Sequence, residues 1–243
     1  MGWDCMHFFK GESSRIDENG VTVGGDDARH ITKSLRLRVG DKITVSDNGY
    51  DYLCEITRIG DCVQARIEDI SKNAAEPNIQ VTLFQALPKH GKFELIIEKC
   101  VELGVCEIVP IVTDYTIPSA ESFDAKNERF NKLSESAAKQ SRRGYIPKVQ
   151  KVITLKDAVT LSEGFDIAIT PYEKAEGRRI RDALCGFSGN RAALFIGCEG
   201  GFSEREIDIL KNTHIVTLGR RILRTETAGF TALTIFFNET GEL

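Results

Sequence analysis

Residues 196–203, IGCEGGFS, and residues 218–228, LGRRILRTETA, contain the two loops that decide the fold of this chain. Each loop follows a short strand-like run, residues 192–195 (AALF) and residues 215–217 (IVT), and leads into a helix-like segment. In an open α/β sheet such loops lie at the carboxyl ends of strands, where ligands bind. Two of them in succession predict one small-molecule pocket with walls of main chain.

The first loop is rich in glycine and ends in a helix-capping sequence. Gly197, Gly200 and Gly201 allow the main chain to approach a ligand without clashes from Cβ atoms. Ser203 and Glu206 have the S-x-x-E spacing of a capping box, which predicts a helix start here. The loop has neither the lysine of a Walker A motif nor the G-x-G-x-x-G spacing of a dinucleotide fold. A tight turn whose glycines serve only geometry is the alternative.

The second loop carries three arginines within five residues, Arg220, Arg221 and Arg224. A helix N-terminus accounts for Thr225 as its cap and for Glu226 as a partner of the helix dipole. It does not account for the arginines, because positive charge is unfavourable at that end of a helix. Arginine commonly clamps phosphate or carboxylate groups, so this segment favours ligand binding.

The composition is that of a globular chain. The 243 residues allow one large domain or two modest ones, and 41% are hydrophobic and 28% charged. No apolar run approaches the roughly 20 residues that cross a bilayer, and no signal peptide is visible. We therefore expect no membrane segment and a cytoplasmic location. The net charge of −4 means that any contact with nucleic acid must depend on local basic patches.

The seven cysteines form no C-x-x-C pair. This argues against a zinc ribbon and against a secreted disulfide framework, so we expect reduced, mostly buried thiols and no metal site. Met6 is a second candidate start, and the sequence leaves open whether residues 1–5 are native.

The chain divides by pattern near residue 72. Residues 1–72 are predicted to be a small all-β barrel, with a hairpin at Asn48-Gly49 and one helical segment at residues 27–35. The polar stretch 71–78 is predicted to be a linker. Residues 73–243 alternate between strands and helices, which predicts a mostly parallel sheet with helices on both faces.

Within the second part, the pattern predicts five strands and five helices. The strands are expected at 79–86, 107–112, 165–170, 191–196 and 214–218. The helices are expected at 93–103, 128–142, 178–184, 204–212 and 227–239.

The two loops together resemble those of the ribosomal RNA uridine-N3 methyltransferases of the SPOUT superfamily. The motif G-x-E-G-G-F-S at 197–203 is followed about twenty residues later by L-G-x-R-I-L-R-T-E-T-A at 218–228. The likeness extends over nearly the whole chain. Further matching blocks lie at residues 7–9, 29–37, 39–41, 87–89, 98–105 and 135–142.

Three segments depart from that family pattern. Cys198 stands where proline is usual, and residues 89–92 (KHGK) replace a more uniform K-G-D-K block. Residues 113–116 (TDYT) lie where an Arg-Ser pair is common, which puts in doubt any catalytic or RNA-contact role of that loop.

The resemblance implies an α/β fold. A PUA-like, RNA-binding β-barrel at residues 1–72 is followed in the chain by a SPOUT-type, trefoil-knotted methyltransferase domain at residues 73–243. It implies a homodimer that uses S-adenosyl-L-methionine to methylate N3 of a uridine in 16S ribosomal RNA, or in the small ribosomal subunit. The alternative is a non-catalytic RNA-binding protein with a degenerate cofactor pocket.

The expected cofactor site lies between the two loops, with a strand end as its third wall. Its residues are Thr170, Pro171, Ile196, Gly197, Glu199, Gly201, Leu218, Gly219, Ile222 and Leu223. Glu199 and Glu226 are candidate acceptors for the N3 proton, although both have structural alternatives. Arg221 and Arg224 are candidates for stabilising negative charge on the uracil oxygens or for holding a phosphate.

Basic side chains form the expected RNA-binding surface, with ordinary solvated charges as the alternative for each. They are Arg29, His30, Lys33, Arg36, Arg38, Lys89, Lys92, Arg142 and Arg143.

Overall fold

A computed structural model describes residues 7–10, 14–17, 20–89 and 91–243. The chain forms two compact units. Of the described residues, the first unit contains those up to residue 76 together with 138–145, and the second contains those at 77–137 and 146–243. The predicted boundary between residues 72 and 73 stays a prediction, and residues 1–5 lie outside the described part.

The first unit is built on one six-stranded sheet. The sheet order is β1-β4-β5-β6-β3-β2, in which β1 runs parallel to β4 and the other neighbours are antiparallel. The strands are β1 His7–Lys10, β2 Ser14–Asp17, β3 Gly20–Val23, β4 Lys42–Asp47, β5 Tyr50–Ile59 and β6 Val63–Lys72.

Local sequence explains the turns of this unit. Asn48 and Gly49 both have positive φ, at 47° and 82°, and connect β4 to β5 as the sequence predicts. The predicted helical segment consists of α1, Gly25–Arg29, followed by a π-helical turn at His30–Ser34. Strand β6 extends to Lys72, so the predicted linker begins two residues later than expected.

Residues 138–145 belong to the first unit through main-chain contacts. The amide of Gly49 donates to the carbonyl oxygen of Gly144 at 3.1 Å, and Nδ2 of Asn73 donates to the carbonyl oxygen of Arg142 at 3.1 Å. A Cβ atom on Gly144 would lie 2.9 Å from Cβ of Asn73, so this approach requires glycine.

The second unit contains a parallel sheet, as the alternating pattern predicts. Its order is β10-β8-β7-β12-β11-β13, and β9 also pairs with β8. The strands are β7 Gln80–Ala86, β8 Glu107–Val112, β9 Lys148–Val149, β10 Ile153–Thr154, β11 Ile167–Pro171, β12 Arg191–Ile196 and β13 His214–Val216.

Seven helices follow the first strand of this sheet. They are α2 Lys92–Glu102, α3 Ala120–Asp124, α4 Asn127–Gln140, α5 Leu155–Ser162, α6 Ile180–Ala183, α7 Glu204–Ile209 and α8 Thr225–Thr240. In the residues that the structure covers, no helix is both long and apolar enough to pass through a membrane.

The sequence missed four short elements here, α3, α5, β9 and β10. Strands of two residues are too short to show a periodicity. Helix α5 does have a local signal, because the hydroxyl of Thr154 accepts a hydrogen bond from the amide of Asp157, as an N-cap does. Helix α8 begins at Thr225, two residues before the predicted start.

No disulfide bond joins the described cysteines. Cys54, Cys100 and Cys198 are buried, and Cys185 is exposed. Burial raises the pKa of Cys54 to about 12, with a contribution from the nearby Glu68 carboxylate. Burial also raises the pKa of Cys100. The Cys54 and Cys100 thiols therefore stay protonated and pack as small hydrophobic groups.

Parallel pairing places the ends of three strands at one edge of the second sheet. Strand β11 lies between β12 and β13, so the loops that follow these strands meet there. The sheet beneath them is held by stacked rings, because Phe84 and Phe195 have centroids 4.7 Å apart at 9°. A rigid support of this kind positions the loops for ligand binding.

Candidate active site

A cleft of about 250 Å³ opens at the carboxyl ends of β11, β12 and β13. The two loops at residues 196–203 and 218–228 form most of its lining. Nine of the ten expected cofactor residues line it: Pro171, Ile196, Gly197, Glu199, Gly201, Leu218, Gly219, Ile222 and Leu223.

Thr170 is the expected cofactor residue that does not line the cleft. Its side chain is fully buried, and its hydroxyl shares a hydrogen bond of 2.7 Å with the hydroxyl of Thr213. The third wall consists instead of Pro171, Tyr172 and Glu173. The sequence did not single out Tyr172 or Glu173, although their position directly after a strand was the available signal.

The first loop folds back on itself, and its glycines permit this. A Cβ atom on Gly197 would lie 2.9 Å from the carbonyl carbon of Gly201. Gly201 has a φ of 68°, and its amide donates to the carbonyl oxygen of Cys198 at 3.0 Å. The main chain therefore borders the cleft directly, which the predicted pocket requires.

The predicted capping box at the start of α7 is confirmed. The amide of Glu206 donates to Oγ of Ser203 at 3.2 Å, and the amide of Ser203 donates to Oε2 of Glu206 at 2.9 Å. Glu206 is buried, and its other oxygen accepts a hydrogen bond of 2.7 Å from the amide of Asp114. The same glutamate therefore caps its helix and holds the loop after β8.

The expectation that Thr225 caps α8 is wrong. Arg224 occupies the N-cap position through its main chain, without a side-chain cap, and Thr225 is the first residue of the helix. The hydroxyl of Thr225 donates instead to the carbonyl oxygen of Gly197 at 2.6 Å. The threonine therefore joins the two loops, because its hydroxyl is directed into the protein and not along the helix axis.

Lys92, at the start of α2, links the two candidate proton acceptors. Its Nζ lies 3.1 Å from Oε1 of Glu199 and 3.3 Å from Oε2 of Glu226. The Glu199 carboxylate also accepts from the amide of Lys89, at 3.1 and 3.3 Å. One cation thus serves two carboxylates, each from a different loop.

This arrangement changes the pKa values of Glu199 and Lys92. Partial burial acts to raise the pKa of Glu199, but hydrogen bonds from its own amide, Lys92 and the Lys89 amide outweigh it, so the pKa is lowered. The hydrogen bond to Glu199 raises the pKa of Lys92, against the effect of burial and with support from Glu226. A carboxylate with a lowered pKa is a weak base at neutral pH, which favours the structural alternative for Glu199.

The two candidate arginines differ in their relation to the cleft. Both Arg221 and Arg224 are exposed, but Arg221 lines the cleft and Arg224 lies just outside its lining. Neither has an ion pair within the described residues. Their guanidinium groups are therefore accessible to an anionic ligand, and their catalytic roles stay predictions.

The expected RNA-binding residues separate into an exposed group and an engaged group. Those on the surface of the first unit are Arg29, which pairs with Asp26, and His30, Lys33, Arg36, Arg38 and Arg142. Lys89 is half-buried, and Lys92 is half-buried with its ammonium group bound to the two glutamates. The ammonium group of Lys92 is therefore part of the ion pairs next to the cleft, because the two glutamates already pair with its charge.

The expectation for Arg143 is corrected. Its side chain is only 3% exposed, and its Nη2 lies 2.8 Å from Oε2 of Glu76. The amide of Tyr145 donates to the other oxygen of Glu76 at 2.8 Å. A guanidinium group that is buried and paired in this way stabilises the first unit and is not accessible to RNA.

Comparisons with known proteins agree with this architecture. The family model described as an RNA methyltransferase domain matches residues 75–237, and the one described as an RNA methyltransferase PUA domain matches residues 23–61. The ribosomal RNA small subunit methyltransferase E of Bacillus subtilis (strain 168) is 30% identical over 230 residues, which cover 90% of each chain. The protein of the same name from Rickettsia conorii is 31% identical and covers 91% of each chain.

A solved structure shows the same fold. The ribosomal RNA small subunit methyltransferase E of Neisseria gonorrhoeae, bound to S-adenosyl methionine, superposes with a TM-score of 0.75 at 26% identity, over 96% of this chain and 98% of that one. The chain therefore belongs to the RNA methyltransferase family. The expected fold class, a mostly parallel α/β methyltransferase domain with a small N-terminal PUA-like β domain, is confirmed.

Proposed function

We propose that this chain transfers the methyl group of S-adenosylmethionine to N3 of a uridine in 16S ribosomal RNA of the small subunit. Membership of the RNA methyltransferase family supports an RNA methyltransferase that uses this cofactor. The observation that carries the proposal is the single cleft formed by the two loops whose motifs resemble uridine-N3 methyltransferases. The uridine specificity is the step that goes beyond family membership.

The residues of the cleft fit the proposed cofactor. Ile196, Leu218 and Leu223 supply apolar surface for a purine ring. The close approach of Gly197 and Gly201 leaves main-chain groups free of side-chain cover, as a nucleoside held by backbone hydrogen bonds requires. Glu173 adds a carboxylate to the lining, which suits a positively charged sulfonium.

The chemistry divides between the cofactor and the chain. When bound, S-adenosylmethionine supplies an activated methyl group. The N3 proton of uridine must leave for N3 to bond the methyl group. Uracil carries negative charge on its carbonyl oxygens from the loss of the proton until the methyl group is bonded. We propose that Arg221 and Arg224 stabilise this charge. Water is the proton acceptor that fits best, because Lys92 holds the carboxylates of both Glu199 and Glu226.

The target base must be unpaired or taken out of its stack, because N3 lies on the Watson–Crick edge. The exposed basic residues of the first unit, such as Arg36 and Arg38, would hold the surrounding phosphates. We further propose that the protein works in the cytoplasm as a homodimer. The resemblance of the two loops to the methyltransferase family, which implies a homodimer, supports this proposal.

Two measurements test the proposed function. Calorimetry with S-adenosylmethionine should show binding, and small ribosomal subunits that lack the modification should gain N3-methyluridine, detected by mass spectrometry of their nucleosides. Absence of cofactor binding would favour the non-catalytic RNA-binding alternative. Methylation of another base or atom would contradict the uridine-N3 assignment. A monomeric mass measured by light scattering would contradict the dimer.

Arg224→Ala tests the role given to that arginine. The turnover should fall about 10²-fold, the size of effect seen when a group that stabilises developing charge is removed. The affinity for S-adenosylmethionine should hold, because Arg224 does not line the cleft. Arg220→Ala is the matched control from the same loop. An equal loss of turnover in both variants would show that Arg224 has no specific role in the reaction.

A further inference from the structure

We propose that Tyr115 is a stacking platform for the base that is taken out of the RNA substrate. This inference rests on the proposed function and adds a positioning residue to it. Tyr115 lies in the loop after β8, in the segment TDYT that departs from the family pattern. The resemblance to the family assigns no role to this loop.

Tyr115 lies beside the loop that borders the cleft, as its contact with Gly200 shows. A Cβ atom on Gly200 would lie 2.9 Å from Cβ of Tyr115 and 3.0 Å from Cγ of its ring. Gly200 itself lines the cleft. The aromatic ring therefore packs against the loop that borders the cleft, next to the lining residue Gly200. The absence of a side chain on Gly200 makes this contact possible.

The ring is exposed although the loop that carries it is well ordered by hydrogen bonds. Tyr115 is 51% exposed, and within the described part of the chain its hydroxyl has no hydrogen-bond partner. An exposed aromatic ring next to the cleft offers a flat apolar surface on which a ligand can stack. A base that has lost its own stacking neighbours presents a matching flat surface.

The residues on either side of Tyr115 fix its main chain. The amide of Asp114 donates to the buried carboxylate of Glu206 at 2.7 Å, and Oγ of Ser203 donates to Oδ2 of Asp114 at 2.6 Å. The amide of Thr113 donates to Oγ1 of Thr116 at 2.9 Å, and the amide of Thr116 donates back to the carbonyl oxygen of Thr113 at 3.0 Å. The ring is thus presented from a fixed turn, so stacking requires little ordering of the protein.

Three substitutions at Tyr115 separate stacking from packing. Phe keeps the ring, Leu keeps apolar contact with Gly200 but removes the ring, and Ala removes both. Tyr50→Ala is the matched control, because Tyr50 is also 51% exposed and lies in the first unit. The assay measures methyl transfer to small ribosomal subunits, and calorimetry measures the affinity of each variant for S-adenosylmethionine.

We expect kcat/KM for the subunits to fall about tenfold or more in Tyr115→Leu and Tyr115→Ala, as the loss of one base–aromatic stack predicts. Tyr115→Phe and Tyr50→Ala should stay within about twofold of the wild-type value, and the cofactor affinity should be unchanged in all four variants.

Three results would overturn the inference alone. Wild-type kcat/KM in Tyr115→Leu would show that an aromatic ring is not needed, and a matching loss of cofactor affinity would show that the ring serves the cofactor. An equal loss in Tyr50→Ala would likewise remove any special role of Tyr115. If the wild-type protein transfers no methyl group, the proposed function fails and this inference fails with it.

Discussion

The hydroxyl of Thr225 donates a hydrogen bond of 2.6 Å to the carbonyl oxygen of Gly197, and this bond joins the two loops of the cleft. The same hydroxyl accepts a hydrogen bond of 2.9 Å from Nε2 of Gln85, whose side chain is fully buried. The first residue of α8 is thereby tied to the ends of β12 and β7. The Thr225 hydroxyl thus holds the two loops in one arrangement, because the loss of either of its buried hydrogen bonds is costly.

Thr225→Val should destabilise the protein by about 2 kcal/mol, because the Gly197 carbonyl and the Gln85 amide both lose a buried partner. Valine has nearly the same volume, so the effect of packing is small. Urea unfolding measures the loss, and calorimetry should show weaker binding of S-adenosylmethionine. Thr227→Val is the control, since Thr227 is exposed in the same turn of α8. A wild-type unfolding midpoint in Thr225→Val would contradict the role of this network.

Gly197→Ala should lower the affinity for S-adenosylmethionine at least about tenfold, the effect of roughly 1.4 kcal/mol of distortion. The added Cβ would meet the main chain of Gly201 at 2.9 to 3.1 Å, and main chain cannot move aside as a side chain can. Gly164→Ala is the matched control, because a Cβ there meets only the Leu161 carbonyl oxygen at 3.8 Å. An unchanged affinity of Gly197→Ala for S-adenosylmethionine would indicate that the cofactor binds elsewhere.

Lys92→Met should destabilise the protein by about 1–3 kcal/mol at neutral pH, because Glu199 and Glu226 lose their common cation. The pKa of Glu199 is lowered in the folded protein, so its contribution is present above the unfolded value of about 4.3 and is lost as pH falls through the folded pKa. The difference between variant and wild type should therefore shrink below about pH 4.

Unfolding in urea at several pH values measures this dependence. Lys174→Met is the control, because the pair of Lys174 with Glu204 is highly exposed, with side chains 64% and 90% exposed, and exposed pairs contribute little. A destabilisation by Lys92→Met that is the same at pH 7 and at about pH 3.5 would be inconsistent with this ion-pair role.

Arg143→Ala should destabilise the first unit by about 3–5 kcal/mol, because Glu76 then keeps a buried charge without its partner. Thermal unfolding measures this, and the neighbouring Arg142→Ala is the control, since that side chain is exposed. The affinity for RNA should fall in Arg142→Ala. It should be unchanged in a folded Arg143→Lys variant. A loss of RNA affinity in Arg143→Lys but not in Arg142→Ala would instead indicate that Arg143 contacts RNA.

The parts of the fold that were predictable have local causes. Strands β8 and β12 have the predicted bounds, because each is a continuous apolar run that ends in turn-forming residues. The start of α7 was predictable from Ser203 and Glu206, whose capping contacts lie within one helical turn. Short elements such as β10 were missed, since they exist only through pairing with a distant strand.

The cleft was predictable in outline because glycine motifs directly follow strands, and nine of the ten expected residues line it. The partners of its charged residues were not predictable. Lys92 follows β7 and Glu199 follows β12, and these strands are neighbours only in the sheet order. An ion pair between their loops leaves no signal in the local spacing of either residue.

The sequence by itself determined the two-part organisation, the parallel sheet and the two loops that meet at its edge, because each depends on periodicity, glycine conformation and helix capping. The tertiary structure decided the rest: that Thr225 bonds to Gly197, that Lys92 is held by two glutamates, that Arg143 is buried and that Tyr115 lies against Gly200. These contacts join residues far apart in the chain, and short-range electrostatics and packing act only where the fold has brought the groups together.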